Sequence, residues 1–335
     1  MSYFLAFAVL FTLKKIFIIN RIINYEQDHT TCRHYYWTKN VVYMTLGLTK
    51  HMFAVTRFSS WSELKTQFSD RPLWAYRGQM DSAWPLETTL YREAARNNSL
   101  EWKTLSSRED WLLYQFRRFA HHYCADLPPE KDILDWLALI QHYGGPTRLL
   151  DFSYSLYVAA FFAVETAVGD AAIWALSLPT LELATYERLG YWPTGSIDEV
   201  RRSNNSKFHE LKETPTNVQT VIHVEPDRMH ERLFVQQGLF LAPTDPNEPF
   251  LKNLGAAFKV RYRSVLTKRE QKWTRSLDDR TGNEYGVSGY IALVKIILPK
   301  EHHREILEDL MSMNISAATL FPGLEGFSRS LRFHV

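Results

Sequence analysis

Between Leu137 and Val164 the chain reads LALIQHYGGPTRLLDFSYSLYVAAFFAV, with Gln141, His142, Tyr143, Gly144, Gly145, Pro146, Thr147, Arg148 and Asp151 standing between two apolar runs. A chain that buries both runs must hold those polar groups at the edge of its core, where each needs a partner. That is how a binding or catalytic site is built. Two other stretches carry comparable groups. Leu73-Trp74-Ala75-Tyr76-Arg77-Gly78-Gln79 is strand-like and ends in a guanidinium and a glycine. A lone buried charge costs several kcal/mol, so Arg77 needs a phosphate or a carboxylate, and Asp151 would serve as the latter. Gly78 lets the backbone turn there or lets a ligand approach it. Arg92 is a second basic candidate of the same kind. The third stretch, Met229 to Leu241, brings Arg232, Gln236, Gln237 and Gly238 into an apolar run. Read as a strand, it turns Gln236 and Gln237 to opposite faces, one toward the core side. A glutamine capping backbone groups at a bulge explains the same residues equally well.

Other groups point away from chemistry. His121 and His122 are sequence neighbours and diverge on a helix, whereas a metal pair prefers i and i+4, so they read as a solvated helix end. Cys32 and Cys124 are far apart, which excludes a disulfide framework and a cysteine-only zinc site and fits a reducing cytosol. There is no phosphate-cradling Walker loop and no GxSxG elbow, so a P-loop enzyme or serine hydrolase is not expected.

The elements that must position these groups follow from patterning. Ser60 with Glu63 caps a short helix to about Phe68. Glu109 to Tyr123 is amphipathic, and after Pro128-Pro129 a helix from Asp132 to Ile140 delivers Gln141 and His142 to the polar turn. Ser155 is the N-cap of an apolar helix running to Val164. Ala171–Leu176, Thr220–Val224 and Tyr290–Leu298 read as strands, and Glu301 to Met311 as a helix ending near Asn314. Thr180 to about Asn217 reads as a polar and irregular stretch, an exposed insertion of mixed structure, and Thr319–Gly326 as turn-rich. Strands separated by helices and long loops predict an α+β fold: a single compact domain with a split, mixed or antiparallel central sheet and flanking helices.

The bulk numbers allow this. The 335 residues are 45% hydrophobic and 14% aromatic, ample for a packed core, and 39 basic against 37 acidic residues give a formal net charge of +2. The whole molecule therefore makes no electrostatic case for nucleic acid or an anionic membrane, and any basic site is local. Residues 1–52 form an N-terminal extension of different texture, apolar then polar, preceding a domain over 53–335. Its first apolar run, Ser2 to Leu13, is too short to span a bilayer about 30 Å thick. The lysines that follow it, and Asn24-Tyr25-Glu26, do not make a secretory signal. Three readings stand: an appended upstream segment with Met44 or Met52 as the functional start, a membrane anchor within residues 1–23, or an interfacial helix. The first makes the protein cytoplasmic without a membrane partner.

Four motifs in one order resemble the FRG domain family, named for a Phe-Arg-Gly motif: Tyr76-Arg77-Gly78-Gln79, then Gln141-His142-Tyr143-Gly144-x-Pro146-Thr147-Arg148-Leu149-Leu150-Asp151, then Gln236-Gln237-Gly238-x-Phe240, and Leu320-Phe321-Pro322-Gly323-Leu324-x-Gly326. Tyr76 stands where the family's name has Phe. The resemblance runs from about Phe53 to the end. The family's members are mostly uncharacterised microbial and phage-associated proteins, so it implies a role in stress or phage defence rather than a reaction.

A second similarity, to ADP-ribosyltransferase-like folds, implies one. Those folds carry Tyr-Arg-Gly on an early strand, a Ser/Thr strand entering a helix, and a late strand with Glu or Gln. Here Tyr76-Arg77-Gly78, Asp151-Phe152-Ser153 and Gln236-Gln237 follow that order. The resemblance implies NAD as a substrate, no permanently bound cofactor, and NAD glycohydrolysis or transfer of ADP-ribose to a protein or nucleic-acid acceptor. Arg77 would hold phosphate or ribose, Ser153 or Asp151 would shape the nicotinamide pocket, and Gln236 would stand where transferases usually have Glu. His142 or Asp151 would then act as base or anionic stabiliser. Gln79, Arg92, Gln141, Thr147, Arg148 and Gln237 complete the expected ligand-binding set. The competing expectation is a non-catalytic module that binds a nucleotide or nucleic acid through Arg77, Arg92, Arg148 and Arg232.

Overall fold

The computed structural model describes residues 53–71, 73–97, 104–258 and 292–334. Among them, seven strands form one mixed open sheet: β1 (Ala54–Arg57), β2 (Trp74–Gln79), β3 (Leu150–Ser153), β4 (Ala171–Ser177), β5 (Val221–Val224), β6 (Gly238–Pro243) and β7 (Leu293–Leu298). They lie in the order β1-β7-β4-β2-β3-β6-β5, with β1 and β7 parallel and the other neighbours antiparallel. The helices flanking them are α1 (Trp61–Phe68), α2 (Thr89–Arg96), α3 (Leu105–Ala120), α4 (Ile133–His142), α5 (Leu156–Val164), α6 (Leu178–Leu189), α7 (Ile197–Glu213), α8 (Glu231–Val235), α9 (Phe250–Ala257), α10 (His303–Ser312), α11 (Ala317–Leu320) and α12 (Leu324–Ser330). The protein is therefore α+β, as the alternation of patterns implies. No helix among the described residues is long and apolar enough to cross a membrane. The expectations for residues 1–52 lie outside the described residues.

Period-two alternation turns the sheet's side chains to its two faces. Trp74, Tyr76, Ile173, Ala175, Val294 and Ile296 pack with α5, α1 and α10 on one face. Ala75, Trp174, Leu176, Leu239, Leu241 and Leu293 pack with α9 on the other. Helix α5 is apolar on nearly every side because it is buried on nearly every side, and Ser155 caps it by accepting from the Val158 N–H at 3.3 Å. Its backbone touches β2 at Gly78, where a Cβ would lie 2.1 Å from the Ala159 carbonyl oxygen. Glycine at this position is a packing requirement.

The central pair does not run together for its full length. Strands β2 and β3 share one register pair, Tyr76 with Ser153, although β2 pairs with β4 along all six of its residues. The sheet thus opens between Arg77–Gln79 and Leu150–Phe152, and unpaired backbone groups there need other partners.

Three segments differ from the sequence reading. The stretch expected to be irregular, Thr180 to Asn217, is mostly the helices α6 and α7; Ser196 and Glu199 close a capping box at the start of α7. Its polarity misleads because part of the buried face is polar: the Asn205 amide donates to the Glu225 carbonyl at 2.7 Å, and Lys212 meets Glu109 at 3.1 Å. Gln236 and Gln237 do not alternate on a strand. Gln236 ends the short helix α8, Gln237 has φ 48°, and β6 begins only at Gly238. That turn is tight enough that a Cβ on Gly238 would sit 2.3 Å from the Leu233 side chain. The tail expected to be turn-rich contains α11 and α12, joined through Gly323 at φ 102°.

Candidate functional site

The opening between β2 and β3 is the floor of a cleft of about 420 Å³. Arg77 bridges it: Nη1 donates to the main-chain oxygen of Asp151 at 2.8 Å, taking a carbonyl that the split leaves without a strand partner. The same nitrogen is 3.4 Å from the Asp151 carboxylate, a loose contact. The Arg77 side chain is 18% exposed and its Nε is buried without a partner among the described residues, whereas the Asp151 side chain is 53% exposed. Burial lowers the Arg77 pKa, Asp151 opposes that shift, and Arg92 adds to it.

Helix α4 contributes its last turn. Gln141 donates through Nε2 to the Leu149 carbonyl at 3.1 Å and to the Asp151 carboxylate at 2.8 Å, and its Oε1 accepts from Thr147. Gln141 thus aims the carboxylate across the cleft. His142 follows, its Nδ1 buried without a partner among the described residues and its ring 4.1 Å, centroid to centroid, from that of His230. Burial pushes His142 below its ordinary pKa and the Arg232 charge adds to this; Glu325 pulls the other way. His230 is pushed down to about 4 by burial, then by His142 and Arg232. Two imidazolium rings so close would repel, and both are neutral near pH 7.

The walls are basic and aromatic. Arg92 reaches in from α2, Arg232 from α8 and Arg329 from α12, so four guanidiniums face two carboxylates, Asp151 and Glu165, a surplus of two positive charges with neutral histidines. Arg329 is neutralised by Glu165, with Nε 2.5 Å from Oε1. Arg232 has no ion-pair partner among the described residues; it lies over the Phe321 ring at 4.5 Å, and Arg329 lies over the same ring at 4.2 Å. Trp84, Phe162 and Val158 supply apolar wall. A concave site with a basic surplus and aromatic surfaces suits an anionic ligand that also carries a flat ring.

The expected site residues separate into two groups. Arg77, Gln79, Arg92, Gln141, His142, Asp151, Ser153 and Gln236 all line the cleft. Several are occupied within it: Gln79 donates to the Pro85 carbonyl and accepts from Trp174 Nε1, Ser153 donates to the Gln236 carbonyl at 2.7 Å, and Gln236 Nε2 donates to the Leu320 carbonyl at 2.9 Å. Thr147, Arg148 and Gln237 do not line it. Arg148 is buried against Glu109, Nε to Oε2 2.6 Å, and Lys212 joins the same carboxylate. Thr147 is buried, accepting from the Leu149 N–H while bonded to Gln141, and Gln237 is exposed with its carbonyl accepting from the Tyr154 N–H. His121 and His122 are exposed at the end of α3. Among the described residues no group of three or more His, Cys, Asp or Glu could hold a metal ion.

The sequence reading missed His230, Glu165 and Arg329 as cleft residues. His230 is the N-cap of a five-residue helix, too short to show periodicity, and Arg329 enters from a tail helix beyond the last motif.

A cleft at a sheet split, floored by an arginine and rimmed by Gln141, His142 and Gln236, is the class of site this α+β fold defines. The FRG domain model matches residues 72–171 of the chain. The match takes in the Tyr76–Gln79 and Gln141–Asp151 motifs, while Gln236–Gly238 and Leu320–Gly326 lie beyond it. No curated protein and no solved structure matches the chain.

Proposed function

We propose that the cleft takes a pyrophosphate-bearing nucleotide and that the chain cleaves it, with NAD as substrate and glycohydrolysis or ADP-ribosyl transfer as the reaction. The observation that carries this reading is the convergence of Arg77, Arg92 and Arg232 from three separate elements, with no acid among the described residues that fully neutralises any of them. Guanidiniums bind phosphate oxygens in bidentate fashion, and Phe162 and Trp84 offer apolar surface for a ring. In the hydrolytic version the bond between ribose and nicotinamide breaks and nicotinamide leaves with the electron pair. The ribose develops cationic character, which the Asp151 carboxylate stabilises. Water adds at the ribose carbon and gives its proton to His142, whose neutral ring can accept it. A role in microbial stress or phage defence rests on the family resemblance alone.

The test is incubation of the purified protein with NAD and quantification of free nicotinamide, with Arg77→Ala as control. Release by the parent chain and not by the variant supports the reading; no release from folded protein removes the enzyme. One observation favours a non-catalytic nucleotide-binding module instead. Gln236, at the position where transferases usually carry an acid, has its amide engaged by Leu320, and Glu165 is neutralised by Arg329. In that case ADP binds, weakens with salt, and nothing turns over.

A further inference from the structure

A histidine outside the FRG motifs faces the cleft in one fixed tautomer. His230 caps α8: its Nδ1 accepts the Leu233 N–H at 3.0 Å. A ring nitrogen that accepts carries no proton, so the neutral ring holds its proton on Nε2. No group among the described residues accepts from Nε2, and the ring lines the cleft. From this geometry we infer that His230 serves the cleft as a neutral hydrogen-bond donor, offering Nε2–H to an acceptor oxygen of the bound ligand. The inference rests on the reading of the cleft as a nucleotide site.

Two independent features keep the ring from charging. A second proton on Nδ1 would face the Leu233 N–H donor to donor and remove the cap from α8. It would also place a cation against the groups that face His230: His142 from α4, its ring tilted by 52° with centroids 4.1 Å apart, and Arg232 from α8, with only Asp151 from β3 opposing them among the described residues. Glu325 from α12 faces His142 and Arg232. A neutral donor bonds a phosphate or hydroxyl oxygen without surrendering its proton to it. His142, whose Nδ1 is buried without a partner among the described residues, lacks this lock, and its tautomer is not fixed by a backbone contact. The two adjacent rings therefore differ in role: His230 donates a hydrogen bond, and proton acceptance falls to His142.

The experiment is nitrogen-15 NMR of the full chain labelled at histidine, with His230 assigned by the signals lost in His230→Asn. Asparagine keeps an oxygen for the Leu233 N–H, so the fold is retained, and an unchanged melting profile confirms it. At pH 7 and down to pH 5, His230 is expected to show an unprotonated Nδ1 and a protonated Nε2. Titration with ADP, and separately with inorganic pyrophosphate, is expected to shift Nε2–H, and ADP affinity in His230→Asn to fall by about three- to tenfold. An Nδ1–H tautomer or an imidazolium at pH 6 overturns the inference, as does an Nε2 signal that answers neither probe. Calorimetry on the same samples separates the two ideas. ADP bound while His230 stays silent sinks the donor alone, whereas no heat with either probe sinks the nucleotide site with it.

Discussion

The Arg77 guanidinium holds the main-chain oxygen of Asp151 at 2.8 Å more tightly than it holds the Asp151 carboxylate, which is 3.4 Å away. An arginine committed to an ion pair would show the reverse. The carboxylate is instead held by Gln141, and the Arg77 side chain, still 18% exposed, closes the gap between β2 and β3. Lysine keeps the charge at this position but has no planar fork. Arg77→Lys is therefore expected to lower ADP affinity about tenfold or more, read by calorimetry. Its loss of stability should be smaller than that of Arg77→Ala, which leaves the Asp151 carbonyl without its donor at a cost of about 1–3 kcal/mol.

Under the proposed reaction, substitution of Asp151 is expected to separate binding from turnover. Its side chain is half exposed, accepts from Gln141 and lies near both Arg77 and Arg232. Asparagine retains the acceptor oxygen and deletes the negative charge that competes with an anionic ligand. Asp151→Asn is expected to bind ADP several-fold more tightly, on the order of 1 kcal/mol, because a charge a few ångströms from the phosphate is removed. NAD cleavage should fall about a hundredfold or more, since the developing positive charge on the ribose loses its counter-ion. Weaker ADP binding in this variant would place the phosphates elsewhere.

Arg148 and Arg77 show where sequence reading succeeds and where it stops. Both are arginines in family motifs beside apolar runs, and nothing local distinguishes them. What separates them is distant: Glu109, at 0% exposure on α3, meets Arg148 and Lys212, while no buried acid among the described residues meets Arg77. The elements themselves were legible wherever patterning and capping agreed, as at Ser60 before α1, Ser155 before α5 and the apolar run of β4. They were not legible where helices are short or bury polar groups, as in α8 and α7. That Gln141, His142 and Asp151 lie at a core edge follows from a polar turn between buried runs, but that Arg77 meets them in one cleft depends on the split between β2 and β3, which motif order does not reveal. The lock on His230 depends on one backbone N–H three residues on, which composition does not reveal.

The buried Glu109 cluster yields a stability prediction. Glu109→Ala strands the Arg148 cation in the interior and leaves Lys212 with Asp110 as its remaining acid, and burial of uncompensated charge should cost about 3–5 kcal/mol in chemical denaturation. Arg148→Ala should also destabilise, yet leave ADP affinity of the folded protein unchanged, because Arg148 lies outside the cleft. A selective loss of ADP affinity in Arg148→Ala would return it to the ligand-binding set.

A second buried cluster makes folding depend on pH in the alkaline range. His223 on β5 lies between Glu182 of α6, at 2.9 Å from Nδ1, and Glu225, at 3.2 Å from Nε2. Burial alone would push the imidazolium toward neutrality, but hydrogen bonds and charge from Glu182 and Glu225 outweigh it and hold the pKa up at about 9. The folded state therefore binds a proton that the unfolded state, with His near 6.5, releases earlier. The resulting stability is fully present below about pH 6.5 and is lost as pH rises through about 9, at most about 3 kcal/mol for this separation of values. Urea denaturation from pH 6 to pH 10 should show this decline. His223→Gln, uncharged at every pH, should be less stable at pH 6 and should flatten the profile between pH 6.5 and 9; an equally steep profile in that variant would assign the alkaline loss to another group.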